Sequence, residues 1–270
     1  MLLIGGRLNT SRPKVLEAIQ ARDRDFVIIE ALRQYNAGIN AISVNAAMLL
    51  DREPEGLAWL VEVVQEAVPL DICIDSSSPQ ALKVASKNCK RPLIINSISG
   101  DMTRYNEIIP LIHEFGARVV AMAANEGGII GTAEGRFQAA MKLLERLQQD
   151  RVDLANVHLD PLVYPVSVAP DSVIVALRAI ELLKAEGVAC HFAVGLGNVS
   201  FGLPLRRRIN EAFLILSLVK GVDTFILDPL DNVLMELLNA YKVLTMQDPG
   251  GVEYLASSRK PGALPQTVDM

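Results

Sequence analysis

The feature that most limits the possible folds is an alternation of short apolar runs with longer amphipathic segments, repeated eight times along the 270-residue chain. The apolar runs are continuous, which is typical of parallel strands covered on both faces. Several amphipathic segments end with a glycine shortly before the next apolar run, as in Ala37-Gly38-Ile39, Phe115-Gly116-Ala117, Glu186-Gly187-Val188 and Lys220-Gly221-Val222. A glycine at this place ends a helix in the left-handed conformation at little cost. The pattern therefore predicts alternating strands and helices, and hence a parallel sheet.

Eight strand–helix units in a chain of this length predict a single closed (β/α)₈ barrel, since such barrels usually have about 250 residues. No internal segment rich in Pro, Gly or Ser divides the chain into two domains. We assign residues 1–246 to the barrel. Residues 247–270 contain Asp248-Pro-Gly-Gly and Lys260-Pro-Gly, and we expect this C-terminal tail to be irregular.

Composition narrows the possible partners and the compartment. The net charge is −5 and no long Lys/Arg run occurs, so neither nucleic acid nor an acidic membrane surface is expected as a partner. No apolar run approaches the ~18 residues of a membrane span, and the run at Met1-Leu-Leu-Ile is too short for a signal peptide. The three cysteines show no metal-binding spacing, which favours reduced thiols in a cytoplasmic protein.

Polar side chains stand at the expected carboxyl end of every strand. The strand that begins at Asp71 ends at Asp75, just before a helix opened by Pro79, and a carboxylate held at the end of a buried strand is costly unless it binds something. The other strands end in, or run into, Asn9, Asn45, Asn96, Asn125, Asp160, Asn198 and Asp228. Each residue alone is a common turn former, and for Asp228, which precedes Pro229, the turn is the preferred interpretation. Because the strand ends of a barrel meet at one mouth, we expect a polar site there.

A mouth lined by amides and carboxylates suits a flat heterocycle with neighbouring donors and acceptors, such as a pterin or a guanine-like ring. Other interpretations stay open. Gly195-Leu-Gly-Asn-Val-Ser200 could bind a phosphate, although no helix is expected to begin within two residues of it. The triplet Arg206-Arg-Arg208 is either a solvated helix start or a contact for a carboxylate or phosphate. Gly127-Gly128 and Gly131 mark either a lid over the mouth or an ordinary loop.

Several segments together carry a family resemblance: Ile4-Gly-Gly-Arg-Leu-Asn9, Trp59-Leu-Val-Glu-Val-Val-Gln-Glu66, Cys73-Ile-Asp-Ser76, Ile95-Asn-Ser97, Asp160-Pro-Leu162 and Gly195-Leu-Gly-Asn-Val-Ser200. With these segments the chain resembles the pterin-binding (β/α)₈ methyltransferases, which move a methyl group between methyltetrahydrofolate and a corrinoid protein. Relatives of this kind serve a corrinoid iron–sulfur protein in acetogens, and others serve O-demethylase, methylamine or betaine systems. The likeness runs from Met1 to about residue 245.

The resemblance implies roles for particular residues. Asp75, Asn96 and Asp160 are expected to hydrogen-bond the pterin ring, and Asn198 is expected to contact N5 and to be the catalytic residue. The further candidates for substrate binding are Asn9, Asn45, Ser97, Ser200 and Arg207. Two positions depart from the family pattern, because Gly6 stands where the family has Glu and Ser43 where it has Asp.

The resemblance also implies the co-substrates and partners. The substrate would be tetrahydrofolate or 5-methyltetrahydrofolate, and no metal is expected on this chain. No Asp-x-His-x-x-Gly motif for cobalamin occurs, so the corrinoid (cobalamin) would be carried by a separate protein. A homodimer is expected from the family.

Three alternatives to this function stay open. A dihydropteroate synthase would need its own glycine- and serine-rich loops and a C-terminal Arg-x-His, and neither is present. A non-catalytic folate-binding subunit is favoured by Gly6 and Ser43 but disfavoured by Asn198. A sugar-phosphate barrel enzyme is the third alternative.

Overall fold

The computed structural model describes residues 1–258. Within them, eight parallel strands close into a barrel in the order β1-β10-β9-β8-β5-β4-β3-β2. These strands are β1 Leu2–Asn9, β2 Ala41–Asn45, β3 Asp71–Asp75, β4 Leu93–Ile98, β5 Arg118–Met122, β8 Val157–Asp160, β9 His191–Gly195 and β10 Thr224–Leu227. A small antiparallel hairpin, β6 Ala124–Asn125 with β7 Gly128–Ile129, follows β5. The predicted (β/α)₈ barrel is confirmed.

Helices connect the strands and cover the barrel. They are α1 Pro13–Gln20, α2 Arg24–Asn36, α3 Glu53–Ala67, α4 Pro79–Asn88, α5 Met102–Phe115, α6 Ala133–Gln149, α7 Ser172–Ala185, α8 Arg206–Val219, α9 Asn232–Leu244 and α10 Val252–Ser258. Short 3₁₀ turns occupy Ala47–Arg52, Leu154–Asn156, Leu196–Asn198 and Pro249–Gly251. The junction glycines at positions 38, 116, 187 and 221 all have positive φ, as the sequence pattern predicts.

Two apolar layers hold the barrel together. The larger one packs the outer faces of the strands against the helices, and the smaller one fills the barrel interior with Ile4, Ala41, Cys73, Ile94 and Val120. Strand side chains alternate between the two faces, so the residues two positions further along each strand point into the same interior, one layer nearer the mouth. The apolar plug therefore forms the floor of the mouth.

The prediction of an irregular tail is wrong for the described part of it. Asp248 receives hydrogen bonds from the backbone N–H groups of Glu253 (3.1 Å) and Tyr254 (2.9 Å), which starts α10 directly after the Pro-Gly-Gly turn. Lys242 on α9 also bonds Glu253, at 3.1 Å. Asp248 thus caps a helix in a segment whose prolines and glycines indicate a loop. The Lys260-Pro-Gly segment lies outside the described residues.

Candidate functional site

Asp75 and its neighbour Asn45 lie side by side at the mouth. Asn45 donates from Nδ2 to both the backbone oxygen and Oδ2 of Asp75, at 3.2 Å each. Its own Oδ1 accepts from Thr10 Oγ1 and from the backbone N–H of Ala47, at 3.1 Å each. Asn45 is therefore held from several sides and serves to orient Asp75, whose Oδ1 accepts no hydrogen bond from the described residues.

The environment of Asp75 disfavours its charge. Burial raises the pKa of this carboxyl to about 6, the nearby charge of Glu53 adds to the rise, and the bond from Asn45 opposes it. A carboxylate that burial has stripped of water is ready to accept hydrogen bonds from a ligand, because such bonds would replace those that water made.

Asn96 stands beside Asp75 in register on the next strand. Its side chain is partly exposed and makes no hydrogen bond to the described residues, so both its donor and its acceptor stay available. Ser97 is buried and takes part through its backbone oxygen, which accepts from Arg104 Nη2 at 2.8 Å. The structure therefore brings Asp75 and Asn96 together as adjacent open groups, and places Ser97 in the support behind them.

Arg104, which the sequence does not mark as a site residue, ties the loop that follows β3 to strand β4. Its guanidinium donates to the backbone oxygens of Ser76 (2.7 Å), Ser77 and Ser97. Ser76 in turn donates to the buried carboxylate of Glu53, at 2.6 Å. Arg104 lies in the first turn of α5, and a single arginine there gives no sequence signal, because its partners belong to strand β4 and to the loop after β3.

Asp160 ends β8 and has a similar environment. Its Oδ1 accepts from the backbone N–H of Leu162 at 2.7 Å, whereas Oδ2 has no partner among the described residues. Burial raises the pKa of Asp160 to about 6, although the bond from Leu162 and the charge of Arg136 oppose the rise. Arg136 is buried and donates to the backbone oxygens of Ile130 (2.7 Å), Pro161 (3.1 Å) and Leu162, so it fixes the loop that carries Asp160.

Asn198 lies in the 3₁₀ turn after β9. Its side chain is exposed and makes no hydrogen bond to the described residues. The turn folds back over Gly195, and a Cβ added to Gly195 would lie only 2.9 Å from Nδ2 of Asn198. The absence of a side chain at Gly195 therefore makes room for the Asn198 amide, which is free to turn.

The loop that carries Asn198 is fixed by Arg206. This arginine donates from Nη2 to the backbone oxygen of Gly197 (2.9 Å) and from Nε to the buried hydroxyl of Ser200 (3.1 Å). Arg207, which the sequence analysis predicts to bind substrate, instead points to Asp231 at 3.5 Å and is largely exposed. The structure thus places Ser200 and Arg206 behind Asn198 and keeps Arg207 away from that loop, because successive residues at a helix start point in different directions.

Three of the polar strand ends act in turns. Asn9 accepts from the N–H of Ser11 at 2.9 Å, and Asn125 accepts from the N–H of Gly127 at 3.0 Å. Asp228 accepts from the N–H of Leu230 at 3.0 Å, which confirms the preferred turn interpretation, and it also pairs with Arg7 Nη1 at 2.7 Å. In each of these three side chains one oxygen is therefore taken by a local turn, and the role of Asn9 in substrate binding stays a prediction.

The first two strands carry no carboxylate at the mouth. Gly6 leaves its position without a side chain, and a Cβ there would lie 3.3 Å from Ile226 Cγ2. Ser43 is buried beneath Asn45. The two carboxylates among the open groups therefore come from β3 and β8, and the described residues contain no cluster of three or more metal-binding side chains.

This mouth has the chemistry of a site for a polar aromatic ring. Two partly desolvated carboxylates can accept from paired N–H groups, one free amide can donate and accept beside them, and a second can turn.

No helix among residues 1–258 is both long enough and apolar enough to span a bilayer.

Comparisons with known proteins agree with this chemistry. The family model described as pterin binding enzyme matches residues 5–228. A methylcorrinoid:tetrahydrofolate methyltransferase from Eubacterium limosum is 32% identical over 250 residues, which cover 92% of this chain and 92% of that protein. Methionine synthase from Mycobacterium leprae is 26% identical over 239 residues, which cover 84% of this chain but 20% of that protein.

Among solved structures, the dihydropteroate synthase from Xanthomonas albilineans in complex with 7,8-dihydropteroate is similar, with a TM-score of 0.67 and 13% identity. The likeness covers 90% of this chain and 93% of that one, and at this identity it supports the fold alone. The family model and the Eubacterium limosum relative cover most of the barrel, including the strand ends described above. The chain therefore belongs to the pterin-binding enzyme family, and within it to the methyltransferases that act between a folate and a corrinoid.

Proposed function

We propose that the protein transfers a methyl group between the cobalt of a corrinoid carried by a separate protein and N5 of tetrahydrofolate. The observation that carries this proposal is the set of open groups at one mouth: Asp75, Asn96 and Asp160 on three strands, and the unpaired Asn198 on the following loop. The name and the full-length similarity of the Eubacterium limosum relative support the same reaction, and its name supports the direction from methylcorrinoid to tetrahydrofolate.

The carboxylates would recognise the donor edge of the pterin. A pterin ring carries an amino group beside a ring N–H, and a carboxylate can accept from both. Asp75 and Asn96 are adjacent in register, so together they offer acceptors and one donor to the ring. Asp160 offers its free Oδ2 from β8, which β5 separates from the strand that carries Asn96.

Asn198 would act on N5. In transfer to tetrahydrofolate, the lone pair of N5 forms the new N–C bond, the electron pair of the carbon–cobalt bond stays on the cobalt, and the proton on N5 passes to water. The carbonyl of Asn198 can accept from N5–H before transfer, and its amide N–H can donate to N5 in the reverse direction. A side chain without fixed partners can do both by a half-turn about its Cβ–Cγ bond, and a hydrogen bond aimed at charge that develops in the transition state is worth about 2.7–4 kcal/mol.

The rim of the mouth supports an approach by a second protein. Leu50, Phe201 and Leu205 lie on loops that follow β2 and β9, and they are 76%, 66% and 80% exposed. Leu50 and Leu205 also have positive φ, and a backbone in such sparsely populated regions costs about 1–3 kcal/mol per residue. Exposed apolar side chains held on strained backbone are typical of interaction surfaces. We assign this rim to the corrinoid-carrying partner.

The oligomeric state, the cellular location and the pathway are also proposals. The family resemblance supports a homodimer, a cytoplasmic location and a role in a pathway that removes methyl groups from a donor, such as O-demethylation. Size-exclusion chromatography coupled to light scattering tests the dimer directly. Purification together with the corrinoid protein tests the partner.

The test of the function uses purified protein, tetrahydrofolate and free methylcobalamin. We expect 5-methyltetrahydrofolate to form, and we expect Asn198→Ala to slow transfer by about 10²–10³-fold at saturating folate while folate affinity stays within a few-fold. Binding of tetrahydrofolate without any methyl transfer, either from methylcobalamin or from the methylated partner protein, would instead identify a non-catalytic folate-binding subunit. Failure to bind any pterin would contradict the proposal altogether.

A further inference from the structure

Glu53 is a buried carboxylate close to the mouth. It is the first residue of α3, it is 7% exposed, and no cation forms an ion pair with it within residues 1–258. Glu55, in the same turn of α3, is largely exposed and pairs with Arg22 and Arg52. The partial positive charge at the start of a helix favours an anion there, but burying an unpaired carboxylate is still costly. The position of Glu53 therefore points to a role that an exposed glutamate could not fill.

Ser76 links Glu53 to Asp75. Ser76 directly follows Asp75, is buried, and donates from its hydroxyl to Glu53 Oε1 at 2.6 Å, a length typical of a bond to an ionised acceptor. The same hydroxyl accepts from the N–H of Ser78 at 2.9 Å, and the N–H of Ser76 donates to the backbone oxygen of Asn96 at 3.0 Å. Glu53 thus fixes the residue next to Asp75, and with it the carboxyl end of β3.

The chain that leads into Glu53 starts on the other side of Asp75. The N–H of Ala47 donates to Asn45 Oδ1 at 3.1 Å, and Asn45 Nδ2 donates to Asp75 Oδ2 at 3.2 Å. The 3₁₀ turn Ala47–Arg52 then runs directly into Glu53. One short stretch of chain therefore reaches Asp75 from both ends, since Asn45 holds the carboxylate and Glu53 holds the residue that follows it.

Glu53 also acts on Asp75 through its charge. Burial is the main cause that raises the pKa of Asp75 to about 6, the charge of Glu53 adds to the rise, and the charge of Arg104 on α5 opposes it. No other charged group of the described chain acts on this carboxyl. The side chains beside it on β2, β3 and β4 are the neutral Asn45, Cys73 and Asn96. Removing the charge of Glu53 should therefore lower the pKa of Asp75.

We propose that Glu53 is a positioning residue of the pterin site, which holds the carboxylate of Asp75 in place through Ser76. The proposal rests on the proposed function, since it needs a pterin that bonds Asp75. In the empty site the charges of Glu53 and Asp75 repel each other, and the N–H donors of a bound pterin offset this repulsion. Glu53 therefore strengthens pterin binding without touching the ring.

The experiment measures the affinity for tetrahydrofolate by calorimetry between pH 5 and 8. It is done in the unaltered protein and in Asp160→Asn, where Asp75 is the one carboxyl left among the open groups. Glu53→Gln keeps an acceptor for Ser76 but removes the charge. We expect affinity at pH 7.5 to stay within ~3-fold, and the loss of affinity in acid to begin at lower pH, because Asp75 then stays ionised further into the acid range.

Two further variants separate positioning from stability. Glu53→Ala also removes the acceptor, so the end of β3 loosens, and we expect folate to bind ~10-fold more weakly at pH 7.5. Glu55→Gln removes a charge from the same turn of α3 at an exposed place and should change neither the affinity nor its pH dependence. Urea unfolding of each variant shows how much of the change lies in stability.

The outcomes separate this inference from the function itself. Acid loss of affinity at an unchanged pH in Glu53→Gln, or an equal shift in Glu55→Gln, would overturn it while leaving methyl transfer intact. A Glu53→Ala variant that is less stable but binds folate normally would also overturn it, because the carboxylate would then serve the fold alone. If Glu53→Ala does not fold, the pH dependence of Glu53→Gln decides. If the unaltered protein binds no tetrahydrofolate, the proposed function fails, and this inference fails with it.

Discussion

The two ends of the barrel carry similar polar residues but treat them differently. At the amino end of the strands, Arg118 pairs with Asp71, His191 Nδ1 bonds Asp223 at 2.6 Å, and His158 Nδ1 bonds Thr224 at 2.8 Å. At the mouth, Asn96 and Asn198 have no side-chain partners in the described part of the chain, and Asp75 and Asp160 each keep one free oxygen. The amino end of the strands, called the closed end below, uses its polar groups to stabilise the fold. The mouth leaves its polar groups open for a ligand.

The pKa values at the two ends follow the same division. Burial raises the pKa of both mouth carboxyls to about 6, and no cation forms an ion pair with either within residues 1–258. At the closed end, burial lowers the pKa of His158 to about 4, so the ring is neutral near neutral pH. His158 Nε2 is buried without a partner, which a neutral ring with an unprotonated Nε2 tolerates better than a charged one. The mouth therefore carries desolvated charge, and the closed end avoids it.

The difference between the two ends is tested most directly by replacing one aspartate with asparagine at each end. Asp160→Asn keeps an acceptor for the N–H of Leu162 but removes the charge, and we expect folate affinity to fall by about 10–100-fold, as for the loss of hydrogen bonds to a charged group. Asp223→Asn at the closed end should leave folate affinity within about twofold, because the bonds that it weakens, from His191, the N–H of Phe192 and Thr224 Oγ1, all lie at that end. Calorimetric titration with tetrahydrofolate measures both. Equal losses in the two variants would contradict the division between the ends.

The pH dependence of binding gives a second, smaller effect. The mouth carboxyls have pKa values of about 6, so they are ionised at pH 7.5 and become protonated as the pH falls through 6. Protonation replaces an acceptor by a donor, so folate affinity should fall below pH 6, approaching tenfold per pH unit for one such group. Titrations between pH 5 and 8 measure the slope, and Asp160→Asn should make it shallower. A flat profile would mean that the pterin does not need these charges.

The sequence was enough for the fold and for part of the site. The junction glycines and the polar strand ends predict the barrel, and chain position alone places Asp75, Asn96 and Asp160 at one mouth. The sequence could not tell open groups from paired ones, because pairing depends on contacts between distant segments. The sequence does not show that Asn45 bonds Asp75 and Thr10, nor that Arg104 bonds backbone oxygens of strand β4 and of the loop after β3.

The freedom of Asn198 is tested by Gly195→Ala. The added methyl group would lie 2.9 Å from Asn198 Nδ2, so the amide has to move away from its place. We expect methyl transfer to slow by about tenfold, less than in Asn198→Ala, because the amide is displaced but still present. Folate affinity should change little. Rapid-mixing measurements of transfer at saturating folate separate the two quantities, and an unchanged transfer rate would show that the position of Asn198 is not limiting.

The smallest effect is expected at the closed end, from the ion pair between Arg118 and Asp71. Both side chains are partly exposed, so water screens the pair and it should contribute about 1 kcal/mol or less to the free energy of unfolding. A double-mutant cycle with Arg118→Ala and Asp71→Ala, measured by urea unfolding, isolates this coupling. Folate affinity should stay unchanged in all three variants, because the apolar layer around Cys73 and Ile94 separates the pair from the mouth. A change in affinity larger than the change in stability would mean that the closed end also positions the site, and the two ends would then act as one.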